Sequence, residues 1–147
     1  MKFIDLFAGM GGFRIALERS GLRCVYSSER NKYARLTYEH NFGELPDGDI
    51  TKVVISNIPN HDVLCAGFPC QSFSVAGKQR GFNDVRGALF FDVVNIIRIK
   101  KPKVIFLENV RNLGTHDNGR TFQIIKNTLE GLGYNIFYKV LNSSHFG

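Results

Sequence analysis

Long apolar runs are missing from this chain. The longest purely apolar stretches are four or five residues, as at Val104 to Leu107, far short of the ~20 that a membrane-spanning helix needs, so no membrane association is expected. No secretory leader is expected either, because the acid of Met1-Lys2-Phe3-Ile4-Asp5 comes too early and the stretch reads as a strand starting at once. Cysteine is scarce. Cys24, Cys65 and Cys70 are an odd set with no CxxC pair, which argues against a disulfide framework and a zinc site; no metal is expected, and the reducing cytoplasm is the expected compartment. No internal repeat, linker or low-complexity tract occurs. Acids are in deficit, 13 against 19 Lys and Arg, for a net charge of +6 at pH 7; this suits an anionic partner such as nucleic acid without requiring one.

What is present is globular in composition. The chain has 147 residues, 44% hydrophobic and 22% charged, which excludes disorder and collagen-like structure. The length predicts one domain or part of a larger one, with enough chain to bury roughly 70% of its unfolded surface.

Short apolar runs alternate with helical patterns. Strands are predicted at Phe3 to Phe7, Cys24 to Tyr26, Asp62 to Ala66, Lys103 to Leu107 and Tyr134 to Leu141, with a weaker one at Ile50 to Ile55. Helices are predicted from Phe13 to Gly21, Asn31 to His40, Leu89 to Ile99 and Gly119 to Leu132. This order implies an α/β fold with a mostly parallel sheet. Ligands of such sheets sit at the carboxyl ends of strands, and the unusual motifs all fall there: Phe7 to Gly12, Glu29, Asp49, Gly67 to Ser74, and Glu108-Asn109.

A strand, the cluster Gly9-Met10-Gly11-Gly12 and a helix form a dinucleotide-type arrangement. Glu29, at the end of the second strand, can accept hydrogen bonds from ribose hydroxyls. The full GxGxxG pattern is not met, since its third glycine falls at Arg14. That weakens an NAD or flavin reading and suits S-adenosylmethionine (SAM), which has a ribose and no pyrophosphate. A tight turn made only for packing explains the glycines alone, but not the placed acid.

At the other strand ends, Cys70 follows Pro69 in an open turn and is a candidate nucleophile. Cys24 and Cys65, inside apolar strands, read as small buried hydrophobes. Glu108 directly follows an apolar strand; burial there is expected to raise its pKa and make it a proton donor, the alternative being a structural carboxylate. Lys78, Arg80 and Arg86, interleaved with Phe73 and Phe82 in a long polar loop from Gln71 to Gly87, suit phosphate contact or a solvated loop.

These residues resemble the cytosine-C5 DNA methyltransferases, and most closely the bacterial modification type. Asp5-Leu6-Phe7-Ala8-Gly9-Met10-Gly11-Gly12-Phe13-Arg14 looks like the family's SAM motif, Gly67-Phe68-Pro69-Cys70-Gln71 like its catalytic motif, Arg86-Gly87-Ala88-Leu89-Phe90 like its RGxLF motif, and Glu108-Asn109-Val110 like its ENV motif. The likeness runs from Phe3 to Gly147.

The resemblance implies a Rossmann-like SAM-dependent methyltransferase fold with helices on both faces. It also implies transfer of a methyl group from SAM to carbon 5 of cytosine in duplex DNA, within a restriction-modification system. Cofactor contacts are implied for Phe7, Ala8, Gly9, Gly11, Gly12, Glu29, Asp49, Ile50 and Leu89. Cys70 would add to carbon 6 of a flipped-out cytosine, Glu108 would act at ring nitrogen 3, and Asn109 and Pro69 would position the site. Gln71, Ser74, Lys78 and Arg86 are the implied substrate contacts.

Two departures stand out. Arg30 follows the ribose-binding acid where relatives often carry an aromatic or apolar residue. The stretch Leu141 to Gly147 resembles the start of the family's next motif, whose arginines are absent from this sequence. Residues 1–147 are therefore expected to be the N-terminal part of the catalytic domain, incomplete at the C-terminus, without the target recognition domain and C-terminal motifs. A partner is expected to cover it: a complementary C-terminal half, or a second copy. Alternatives are a tRNA cytosine-C5 methyltransferase, an inactive SAM- or DNA-binding remnant, and an NAD or flavin oxidoreductase.

Overall fold

The computed structural model describes residues 1–69 and 88–146. Its elements are β1 (Lys2–Leu6), α1 (Gly12–Arg19), β2 (Arg23–Ser28), α2 (Lys32–Phe42), β3 (Val63–Ala66), α3 (Ala88–Lys100), β4 (Val104–Leu107) and α4 (Arg120–Gly131). The four strands are all parallel, in the order β2-β1-β3-β4. Parallel strands need long crossovers, which helices supply, and the alternating sequence pattern provides them.

β1 and β3 occupy the middle of the sheet. Phe3 to Leu6 and Val63 to Ala66 are buried without interruption, as expected of strands covered on both faces. Phe3, Val63 and Cys65 meet Phe13 and Leu17 of α1. Ile4, Leu6, Leu64 and Ala66 face the opposite way, toward Phe90, Val93, Val94, Ile96 and Ile97 of α3 and Ile125 and Leu129 of α4. Helices thus cover both faces, as expected. The helix limits follow local chemistry. Asn31 caps α2 by accepting from the Tyr33 and Ala34 N–H groups at 2.9 and 3.1 Å, and Gly43 ends it at φ +74°.

Two predicted strands are corrected. Ile50 to Ile55 is not a strand: Ile50–Lys52 and Ile55–Asn57 are short 3-10 turns. The more buried positions are Ile50, Val53, Ile55 and Ile58, a spacing near three that fits those turns better than the alternation of a strand. Sheet pairing here is limited to an isolated parallel bridge between Ser28 and Asp47. Tyr134 to Leu141 is also not a strand. The Tyr134 hydroxyl donates to the Pro102 carbonyl at 2.6 Å, and Tyr138 packs on Phe122 of α4 with ring centroids 4.6 Å apart. Those side-chain contacts hold the segment against its neighbours without a backbone ladder, and among the described residues the outer edge of β4 is unpaired.

Candidate active site

The site begins where β1 ends. Phe7, Gly9 and Gly11 all have positive φ, at +56°, +55° and +93°. For a phenylalanine this costs about 1–2 kcal/mol, and neighbouring bonds hold it. The Ala8 N–H donates to the Ser28 carbonyl at 3.0 Å, and the Gly11 N–H donates to the Ala8 carbonyl at 2.8 Å. Gly11 also allows a close approach, because a Cβ there would lie 2.2 Å from Cε2 of Phe42.

Glu29 ties this turn to the next one. Its Oε2 accepts from the Gly9 N–H at 2.9 Å and its Oε1 from the Asn31 N–H at 2.7 Å. Asp49 opens the following 3-10 turn, its Oδ1 accepting from the Thr51 N–H at 3.1 Å and the Thr51 hydroxyl at 2.9 Å. The Thr51 N–H, then its hydroxyl and the charges of Arg30 and Lys52, hold the Asp49 carboxyl below its ordinary value against a smaller cost of burial.

Six predicted residues, Phe7, Glu29, Asp49, Ile50, Leu89 and Pro69, line one cavity of about 460 Å³. Ser28, Arg30, Asn31, Gly48 and Gly67 line it as well. In the sequence Arg30 stands out only as a departure, and no contact is implied for the other four. The available signal was adjacency: they flank Glu29, Asp49 and the end of β3. Ala8, Gly9, Gly11 and Gly12 build the turn behind Phe7 without lining the cavity.

The ends of β3 and β4 meet beside it. A Cβ on Gly67 would lie 3.2 Å from Oε2 of Glu108, so the glycine lets that carboxylate approach the backbone. Asn109 donates from Nδ2 to the Phe68 carbonyl at 2.7 Å and accepts the Val110 N–H at 2.9 Å, fastening the two strand exits together. The expected burial of Glu108 is corrected: it is exposed, continuing the alternation that also leaves Val104 and Phe106 exposed on the edge strand β4. Cys70, Gln71, Ser74, Lys78 and Arg86, with the predicted loop Gln71 to Gly87, lie outside the described residues.

Behind the site, α1 and α2 are locked by Arg14. Its guanidinium donates to Glu18 at 3.0 Å, to the Tyr38 hydroxyl at 3.2 Å and to Glu44, and lies 4.5 Å from the Phe42 ring centroid. Under it, Asp5 is fully buried, with neither carboxylate oxygen hydrogen-bonded. Burial pushes its pKa up to about 7, with Arg14 offsetting part of that cost. Cys65 is buried as expected, its thiol pushed up to about 12 by burial and then by Asp5. Cys24 is half-buried, and burial raises its thiol too. Among the described residues no helix is long and apolar enough to cross a membrane.

The family model described as C-5 cytosine-specific DNA methylase matches residues 1–147. The chain belongs to that family. This methylase chain is 60% identical to the Type II methyltransferase M.HhaI of Haemophilus parahaemolyticus, over all of this chain and 45% of that protein. It is 56% identical to M.NgoBI of Neisseria gonorrhoeae, over 99% of this chain and 46% of that one. It therefore spans about half the length of the curated relatives it matches. Among solved structures, the S. pombe Dnmt2 methyltransferase superposes with a TM-score of 0.79 over 99% of this chain and 46% of its own, at 22% identity, and shares the fold. The Entamoeba histolytica methyltransferase EhMeth gives 0.68 at 28% identity, over 90% and 44% of the two chains.

Proposed function

We propose that this chain carries the cofactor-binding and catalytic portion of a DNA (cytosine-5-)-methyltransferase, of the kind that protects host DNA in a restriction-modification system. The observation that carries the reading is the convergence of Phe7, Glu29, Asp49, Ile50 and Leu89 on one cavity, with Glu108 against Gly67 beside it. These residues fit an adenosyl group. Phe7, Ile50 and Leu89 offer apolar surface. Each Glu29 oxygen accepts one backbone N–H and keeps a lone pair for a ribose hydroxyl. Oδ2 of Asp49 has no hydrogen-bond partner among the described residues and can accept an exocyclic amine.

When bound, SAM supplies an electrophilic methyl group. The chain's part is to make carbon 5 of cytosine reactive. The base must leave the duplex, at a cost of a few kcal/mol. The Cys70 thiolate adds to carbon 6, Glu108 hydrogen-bonds or protonates ring nitrogen 3, and the electron pair moves to carbon 5. After methylation a base takes the carbon 5 proton, the carbon–sulfur bond breaks, and the double bond re-forms. Pro69 and Asn109 position the site around Cys70, and Gln71, Ser74, Lys78 and Arg86 contact the nucleic acid. The family match favours DNA over tRNA as acceptor.

Duplex DNA is thus the macromolecular partner, in a bacterial cytoplasm. A complementary C-terminal portion is the second partner, because the chain spans 45% of its relative while Val104, Phe106, Val140 and Leu141 are exposed. A self-associated form is the competing outcome. Transfer of a labelled methyl group from SAM tests the reading, with duplex DNA and tRNA as acceptors and the chain assayed with the C-terminal portion of a relative. Label in DNA that is lost in Cys70→Ala is expected. Label in tRNA alone, or label that survives Cys70→Ala, contradicts the reading.

A further inference from the structure

We infer that the protein has a second ligand site, an open cleft at the amino ends of β1, β2 and β3, which takes a singly protonated phosphate group as free hydrogen phosphate or as a phosphate monoester. The cofactor cavity lies at the carboxyl ends of the same strands, so the inference goes beyond the function proposed above and does not depend on it.

The cleft measures about 570 Å³, and Lys2, Arg23, Asn60, His61 and Asp62 are among the residues lining it. Lys2 and Arg23 are register partners on neighbouring strands, so both side chains stand on one face of the sheet. Both residues are exposed. Their backbone N–H groups are used, the first donating to Oδ2 of Asp62 at 2.9 Å and the second to the Met1 carbonyl at 3.0 Å. Among the described residues the Lys2 ammonium and the Arg23 guanidinium make no hydrogen bond and no salt bridge. Adjacent like charges repel, and an anion held between them relieves the repulsion. The Asp62 carboxylate does not fill that role, because Oδ2 holds the Lys2 N–H and Oδ1 the Lys103 ammonium at 2.9 Å.

His61 points to the same ligand independently. It is 9% exposed. Its Nδ1 lies 2.8 Å from the Pro59 carbonyl, which only accepts, so Nδ1 carries the ring proton and Nε2 of the neutral ring is an acceptor. Nε2 is buried with no hydrogen-bond partner among the described residues. Burial is the largest influence on the imidazole and, with the Lys100 charge, holds its pKa low against the Pro59 carbonyl and Asp62. Hydrogen phosphate, or a monoester in the same protonation state, offers oxygens to Lys2 and Arg23 and one P–OH that donates to Nε2. Sulfate and a phosphodiester have no such hydroxyl, which excludes the nucleic-acid backbone as the occupant.

Titration of the chain with inorganic phosphate, ribose 5-phosphate, sulfate and dimethyl phosphate, followed by the NMR signals of the His61 ring, tests this. Inorganic phosphate or ribose 5-phosphate is expected to shift those signals with saturation. Whichever of the two binds more tightly identifies the free ion or the monoester as the ligand. Sulfate and dimethyl phosphate should bind about tenfold more weakly or worse, for want of the donated hydrogen bond. Arg23→Ala and Lys2→Ala should each weaken phosphate by about tenfold or more, while S-adenosylhomocysteine binding and the melting temperature without phosphate stay unchanged. If neither phosphate compound moves the His61 signals, the inference is wrong. It is wrong as well if sulfate or dimethyl phosphate binds as tightly as phosphate, or if phosphate binding survives both substitutions.

Discussion

The two edges of the sheet are finished differently. On the β2 side, Ser27 and Ser28 are buried, Asp47 bridges to Ser28, and Arg14 of α1 reaches Tyr38 of α2 and Glu44 just beyond it. On the β4 side, Val104 and Phe106 are 40% and 52% exposed, although they pair in register with buried Val63 and Cys65. Phe137 nearby in sequence order after α4 is 93% exposed. The difference separates two jobs. The residues proposed to hold the nucleoside, Phe7, Glu29, Asp49 and Ile50, belong to the closed side. Glu108 and Asn109 follow the open strand, whose cover the described residues do not provide.

Core truncation should expose the contrast most strongly. Leu64 is fully buried against α3 and α4, so Leu64→Ala should destabilise by about 2–5 kcal/mol. Phe106→Ser, on the open face one strand away, should cost less than about 1 kcal/mol in this chain. Urea unfolding of both variants measures the gap; equal losses would mean that β4 is covered after all.

Acidity comes next. The carboxyl of Asp5 has a folded pKa of about 7 against an ordinary 3.8. Its folded value is raised, so the folded state holds more protons between those values. Its contribution is therefore most favourable below about pH 4, is lost as pH rises toward 7, and is constant above. From pH 5 to pH 8 this amounts to about 2–3 kcal/mol. Asp49 and Asp62, whose carboxyls are held low, act in the opposite sense, so the unmodified protein is compared with Asp5→Asn. The pH slope of the difference in unfolding free energy should carry this loss, and a flat difference would contradict burial as the cause of the raised carboxyl.

Glycine replacement sharpens the closed side itself. Gly11→Ala should cost about 1–3 kcal/mol, because positive φ and collision with Phe42 add. Gly133→Ala, at φ +91° with open space around it, should show only the strain, about 1 kcal/mol. Melting scans compare the two.

Much of the closed side was legible in the sequence. The apolar runs around Phe3 and Val63 and the glycines after Phe7 announce strand, turn and helix, and Glu29 announces the end of β2. The structure adds what depends on distant partners. Arg14 reaches Glu44 thirty residues away, which no local pattern encodes. Tyr134 to Leu141 alternates like a strand, but strand formation needs a ladder partner, and its aromatic contacts to Pro102 and Phe122 hold it elsewhere. The apolar run before Glu108 suggests burial, whereas β4 is an edge strand and Glu108 continues the exposed face of Val104 and Phe106. Arg30 was visible as a departure, and its place in the cavity follows only from the fold.

The closed side is expected to build the cofactor site without help from β4. Hydrogen–deuterium exchange of the chain with and without S-adenosylhomocysteine tests it directly. The Gly9 and Asn31 N–H groups, both bonded to Glu29, and the Thr51 N–H, bonded to Asp49, are the reporters. Slower exchange is expected at these three on binding, with Val104 to Leu107 unchanged. Slowing confined to Val104 to Leu107, or no slowing anywhere, would contradict it.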